Sequence, residues 1–336
     1  MANRGSLSRR ESAAPFKPPR FAGVTLTADA AFVETRKSER ANPFLARSKG
    51  RPLVVGHRGV PSLHQENTVA GFRRAIALGI DAIELDARLT RDGRVVVCHD
   101  EDLYRLTGEP LRVSKSRWDE IAKLQVRRRL PMGVDARGRG VVADYEQRES
   151  IPLLAEVLAE VGGRVAINIE LKLDGPWWGT RLADAVVDEV VAAELEDHVV
   201  VTSFDLRKLR AAKRRCSGLA VGFCYDDGML DPFRWLLSRS RAVGYLRRAL
   251  ANNIAGRFLD GSLVGVDHTL VDDDVVSAVR SHGLAIGTHT LFPIGSTTGK
   301  PISETASTIN EVERLRSLEL DWIESDDPVR LLELLG

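Results

Sequence analysis

LVVGHRGVPSLHQENTVAGFRRAIALGIDAIELD, residues 53–86, contains one complete strand–helix–strand unit. Leu53, Val54 and Val55 form the apolar run of a buried strand. Asn67 and Thr68 can cap a helix over 69–78, which Gly79 stops. The run at 82–86 alternates. Ile83 and Leu85 point to one face of a strand, and Glu84 and Asp86 to the other.

The same rhythm recurs to the end of the chain. Further strands are expected at 165–171, 199–202, 219–223, 263–266, 284–287 and 322–323. Helices are expected over 153–161, 181–195, 206–214, 231–258, 273–281, 311–318 and 328–335. Eight βα repeats in 336 residues predict an α/β fold, a TIM (β/α)8 barrel. A doubly wound open sheet is the alternative, but it has fewer strands and a glycine-rich first turn. Here only Gly56 and Gly59 follow the first strand. Thr90-Arg91-Asp92-Gly93 turns into the apolar run at 95–98, a small hairpin and loop insertion after strand two. Residues 105–150, basic and broken by glycines, read as an excursion over the surface. Residues 1–50, rich in Ser, Arg, Pro and Ala, read as an irregular N-terminal arm, flexible or loosely docked, ahead of a barrel domain at 51–336.

Composition narrows the function. A hydrophobic content of 43% with 28% charged residues is ordinary for a soluble globular protein. A net charge of +1 argues against broad nucleic-acid binding, which needs a basic surplus. Cys98, Cys216 and Cys224 lack the spacing of a zinc cluster or disulfide framework and fit a reducing compartment. No run approaches the roughly 18 apolar residues of a membrane span, and Arg9 and Arg10 precede no apolar leader. Cytoplasmic placement is therefore expected.

Polar residues gather at successive strand ends, where a TIM barrel carries its site. His57 and Arg58 follow strand one, Glu84 and Asp86 lie on strand two, and His99 and Asp100 close the hairpin. Strand three adds Asn168, Glu170 and Lys172 on one face, with Ile167, Ile169 and Leu171 on the other. Glu84, Asp86 and Glu170 would repel one another unless a cation sat between them. An all-oxygen set favours one hard divalent ion, Mg²⁺ or Ca²⁺. Arg58 and Lys172 in the same mouth would hold a phosphate. His57 and His99 are then left for proton transfer. Taken singly, each has a plainer reading: a hydrogen-bonded strand-end histidine, an ion-pairing carboxylate, a half-exposed strand. Their co-occurrence is what points to a site.

With these residues in hand, the chain resembles the glycerophosphodiester phosphodiesterase family. The signature HR, E-x-D and HD is matched by His57-Arg58, Glu84-Leu85-Asp86 and His99-Asp100. Further matches are GHRG at 56–59, ENT at 66–68, TRDG at 90–93, RLTG at 105–108, IPLLAEVL at 151–158, IELK at 169–172, TSF at 202–204 and SDDP at 325–328. The resemblance implies a metal-assisted TIM-barrel enzyme that cuts small-molecule phosphodiesters into sn-glycerol 3-phosphate and an alcohol. It implies Glu84, Asp86 and Glu170 as metal ligands, Arg58 and Lys172 on phosphate, His57 as base and His99 as acid, with Glu66 and Asp100 in support. A lysophospholipase D-like enzyme would use the same site on a lipid-tailed substrate. A non-catalytic phosphate binder is the reading from another class, and it need not keep both histidines.

The chain also departs from the family. His289-Thr290-Leu291-Phe292 stands where the family often has Trp-Thr-Val-Asn, which puts substrate choice in doubt. His289 is either a third pocket histidine or a surface one. The long segment 231–258 sets Phe233, Trp235, Leu236, Leu237, Tyr245 and Leu246 among arginines. That pattern fits either a peripheral membrane contact or an ordinary barrel helix with a solvated basic face. Gly295-Ser296-Thr297-Thr298-Gly299-Lys300 is one residue too short for a P-loop, and Pro301 follows where Ser or Thr is needed.

Overall fold

Eight parallel strands close on themselves in the computed structural model, which describes residues 42–46, 50–173, 179–233, 236, 238–297 and 302–336. They are β1 Leu53–Gly56, β2 Ala82–Leu89, β3 Ala166–Leu171, β4 Val199–Ser203, β5 Ala220–Tyr225, β6 Leu263–Asp267, β7 Ala285–Leu291 and β8 Trp322–Ser325. Each pairs with the next, and β1 pairs with both β2 and β8, so the eight-stranded barrel has no open edge. Helices Val69–Ala77, Leu154–Val161, Arg181–Ala192, Leu206–Arg215, Arg239–Ala251, Ile254–Leu259, Asp273–Ser281, Ile309–Ser317 and Pro328–Leu335 lie between the strands. The expected TIM barrel is the observed fold.

Alternation along the strands explains both layers of the core. Outward-facing Ile83, Leu85, Ile167, Ile169, Val201 and Ile286 are buried against the helices. Inward-facing Val55, Ala82, Ala166, Val200, Ala220, Leu263 and Trp322 fill the base of the barrel. A Cβ at Gly287 would run into the Trp322 indole, so glycine there lets the ring lie across the interior. Phe44 meets Trp322 edge-on at 5.6 Å and is itself fully buried. Asn42 donates its Nδ2 to the Val199 carbonyl (2.9 Å). Residues 42–46, assigned to the arm by composition, thus pack against the base of the barrel. Residues 1–41 lie outside the described residues.

The insertion after β2 is larger than a hairpin. Val95–Val97 runs antiparallel to the end of β2, with Ala87 opposite Val97. Two further hairpins follow, Gln125–Val126 with Glu149–Ser150 and Arg129–Val134 with Gly140–Asp144. Val96, Cys98, Leu103, Leu106, Ile121, Leu130 and Tyr145 form a second apolar core beneath them. Beyond the run at 95–98, those residues fall in pieces too short to show a helical or strand period, so the stretch reads as surface until the pieces pack on one another. The arginine run is partly tied inward. The Arg127 guanidinium lies over the Tyr104 ring, and Arg128 Nε donates to the Tyr145 carbonyl at 2.9 Å. Among the described residues, no helix is long and apolar enough to cross a membrane.

Candidate active site

The turn after β1 sets the first residues of the mouth. A Cβ at Gly56 would collide with the Gly59 carbonyl, and Arg58 takes the left-handed conformation at φ 56°. That conformation aims its backbone N–H at Glu84 Oε2 (2.9 Å), and its carbonyl accepts from Asn67 N–H (3.0 Å). His57 Nδ1 lies 2.6 Å from Asp326 Oδ1, just past β8, and its Nε2 is 3.9 Å from Glu84 Oε2. An ionised Asp326 accepts the Nδ1 proton, leaving Nε2 to accept one from the cavity.

Glu84 and Asp86 point into the barrel, as alternation requires, and Glu170 lies beside Asp86 in the β2–β3 register. One oxygen from each of the three carboxylates lies within 4.8 Å of the other two. Lys172 Nζ is 2.8 Å from both Asp86 Oδ1 and Glu170 Oε1, and Arg58 Nε is 3.2 Å from Asp86 Oδ2. Burial disfavours ionising Asp86, but Lys172 and Arg58 overcome it and hold the carboxyl well below the usual range. Glu84 goes the other way: burial, then Asp86, Glu324 and Glu170, push it well above the usual range. Its Oε1 is buried without a hydrogen-bond partner. An unpaired buried carboxylate oxygen facing two more carboxylates is what a hard divalent cation would satisfy. The donor set therefore fits such an ion.

A second network ties the insertion to the mouth. Glu66, buried, accepts from Arg58 Nη1 (3.0 Å) and from both terminal nitrogens of Arg105 (2.9 and 2.8 Å). Burial opposes its ionisation, yet Arg105 and Arg58 bring the carboxyl down to about 2. Arg105 Nε donates to Asp100 Oδ2 (2.5 Å), and Asp100 Oδ1 lies 2.8 Å from His99 Nδ1. Burial, then the Arg58 and Lys172 cations, lower the His99 pKa against the opposing pull of Asp86 and Asp100. Asn67, also left-handed at φ 57°, donates to Asp86 Oδ2 at 2.7 Å instead of capping the helix, which Thr68 does.

These side chains open onto a cavity of about 800 Å³ at the C-terminal ends of the strands. Its lining includes His57, Arg58, His99, Glu170 and Lys172, and on the far side Asp226, Asp267 and His289. His57, His99, Arg58, Lys172, Glu84, Asp86, Glu170, Glu66 and Asp100 are all brought into one connected cluster. His289 lies in the same mouth, on β7. Sequence reasoning missed Asp326 and Arg105 as site residues, although both stand inside quoted motifs, SDDP and RLTG. Barrel closure brings Asp326 to His57, and the folding of the insertion onto the mouth brings Arg105 to Glu66.

The fold and this mouth define a class: (β/α)8-barrel enzymes acting on phosphate esters. Residues 57–330 match the model of the glycerophosphoryl diester phosphodiesterase family, and the chain belongs to that family. It is 28% identical over 286 residues to a glycerophosphodiester phosphodiesterase of Caldanaerobacter subterraneus subsp. tengcongensis, covering 85% of this chain and 98% of that one. It is 31% identical over 209 residues to a lysophospholipase D of Rattus norvegicus, covering 62% of this chain and 56% of that one. A solved glycerophosphodiester phosphodiesterase of Thermotoga maritima shares the fold at TM-score 0.58 and 23% identity, over 85% of this chain and 100% of that one. So does an Oleispira antarctica phosphodiesterase in complex with its product sn-glycerol-3-phosphate, at TM-score 0.58 and 20% identity, over 85% and 97%. The chain is a phosphoric diester hydrolase of this family, whose enzymes use a divalent metal.

Proposed function

We propose that this enzyme hydrolyses glycerophosphodiesters to sn-glycerol 3-phosphate and an alcohol by histidine acid/base catalysis. The observation that carries the reading is the convergence of Glu84, Asp86 and Glu170, with a buried unpaired oxygen on Glu84, beside two cations and two histidines. Glu84, Asp86 and Glu170 would hold one divalent ion, Mg²⁺ or Ca²⁺, which supplies positive charge to the diester phosphate. Arg58 and Lys172 add charge at the same group. His57, held by Asp326 through Nδ1, takes the proton of the attacking oxygen on Nε2, from water directly or from a neighbouring substrate hydroxyl, whose cyclic phosphate product water then opens to the monoester. His99, fixed by Asp100, protonates the leaving alcohol. A bound phosphodiester anion offsets Arg58 and Lys172, and so lets His99 carry the proton it donates. Glu66 and Arg105 position Arg58 and Asp100.

The test is a substrate panel with metal control. Glycerophosphocholine should release sn-glycerol 3-phosphate, lose activity after EDTA, and regain it with Mg²⁺ or Ca²⁺. His57→Ala and Glu84→Ala should each lower turnover by about 10³-fold or more, with unchanged circular dichroism. Normal turnover in either variant would refute the assignment. Activity confined to lysophosphatidylcholine would make the enzyme a lysophospholipase D instead.

One observation favours a lipid-side role as a second reading. Leu236, Tyr245, Ile254 and Phe258 are 59%, 53%, 50% and 66% exposed, and Arg241, Arg248 and Arg257 beside them are exposed too. Trp235 and Leu237 lie outside the described residues, as does the Phe233 side chain. Exposed apolar groups among arginines support peripheral contact with an anionic membrane. Co-sedimentation with phosphatidylglycerol vesicles should fall with salt and in Phe258→Ser. Equal sedimentation of wild type and variant would end this reading. The unpaired thiols of Cys98, Cys216 and Cys224 support a cytoplasmic, reducing location.

A further inference from the structure

Across the mouth from Glu84 and Asp86, three adjacent strands end in one row. Tyr225 pairs with Val266 in the β5–β6 register, which sets Asp226 beside Asp267, and Asp267 pairs with His289 on β7. All three side chains line the cavity, and a ligand atom from each lies within 4.8 Å of the others. We infer that Asp226, Asp267 and His289 form a second cation site, for a first-row divalent metal such as Mn²⁺ or Zn²⁺.

The His289 ring carries the argument. Its Nε2 atom is buried and has no hydrogen-bond partner, and the ring is packed edge-on against Phe204 at 6.3 Å. Gly265 on β6 makes room: a Cβ there would sit 3.8 Å from His289 Nδ1 and 3.3 Å from Cys224 Sγ. The ring offers one nitrogen to the row of two carboxylates, and its Nε2 has no hydrogen-bond partner within the protein. Each aspartate already has one oxygen occupied. Asp226 Oδ1 accepts from Gly228 N–H (2.7 Å), and Asp267 Oδ1 accepts from the Thr269 N–H (2.8 Å) and hydroxyl (2.5 Å). One oxygen of each stays available to the row, held in place as outer-shell hydrogen bonds hold metal ligands. An imidazole with two carboxylates suits first-row metals, whereas the Glu84, Asp86 and Glu170 set is all oxygen. The two walls therefore differ in the ion they select. The site also sits where His289 departs from the tryptophan expected by resemblance, so it is a property of this chain.

The test counts metal on the full chain by equilibrium dialysis against Mn²⁺ and elemental analysis, with a thermal melt of every variant. Two equivalents are expected in the wild type. His289→Ala and Asp267→Asn should each lose one equivalent and keep the other. Glu84→Gln should lose the other equivalent, so failure of the β2–β3 site is scored separately from failure of this one. If His289→Ala melts early, His289→Gln serves in its place. A single equivalent in the wild type that only Glu84→Gln removes overturns the proposal. Two equivalents that survive both His289→Ala and Asp267→Asn do the same. One equivalent together with a raised KM for glycerophosphocholine in Asp267→Asn would assign the carboxylates to the substrate's ammonium, and also overturns it.

Discussion

Asp326 shows what one carboxylate contributes to this mouth. Its Oδ1 lies 2.6 Å from His57 Nδ1, and its Oδ2 accepts the Ile294 N–H at 2.9 Å, so it fixes the ring and the start of the loop after β7 together. Asp326→Asn keeps the volume but removes the negative charge that orients and stabilises the imidazolium. Turnover should fall by up to about 10⁴-fold, the loss seen when the orienting carboxylate of a catalytic histidine is neutralised. KM should barely move, because Arg58 and Lys172 remain to hold phosphate. An unchanged kcat would remove Asp326 from the reaction. At this scale His57, His99, Glu84, Asp86 and Glu170 were legible as chemistry-bearing types at strand ends. Asp326 was not, because its partner lies 269 residues away.

At the scale of elements, helix Arg181–Ala192 carries a strained carboxyl. Burial is the main cause that pushes Glu189 up to about 7, with Arg94 only partly offsetting it, and its Oε2 has no hydrogen-bond partner. A folded-state pKa above the unfolded one means the native state binds the proton more tightly. The fold therefore bears no penalty below about pH 4.5 and loses stability as pH rises towards 7. Glu189→Gln should leave the melting temperature unchanged near pH 4.5. At pH 8 it should stabilise by about 1–2 kcal/mol, once solvent screening of a partly exposed group is allowed for. The same gain at both pH values would refute the linkage. The βα elements themselves were legible, since each has its own period and caps. The second core of the insertion was not, because Leu103, Leu106, Ile121 and Leu130 carry no period.

For the whole molecule, the base of the barrel matters as much as its mouth. Phe44, fully buried against Trp322, closes the end opposite the site. Phe44→Ala should cost about 3–5 kcal/mol in urea unfolding, as large-to-small changes in a packed core do. Turnover at 25 °C should persist while the protein stays folded. A variant as stable as wild type would show that residues 42–46 are dispensable to the barrel.

The sequence by itself determined the eight-fold βα alternation and the polar faces of β2 and β3, because hydrophobic period and side-chain alternation are local. It also set Glu84 and Asp86, and Asn168 and Glu170, on the inward faces of β2 and β3. Tertiary structure alone decided the pairings across the mouth: His57 with Asp326, Arg105 with Glu66 and Asp100, and Asp226 with Asp267 and His289. The physical reason is packing between distant parts of the chain. When β8 meets β1, His57 and Asp326 become neighbours at one rim; the insertion packing on the mouth and the pairing of β5, β6 and β7 do the same for the others, and no local period records those meetings.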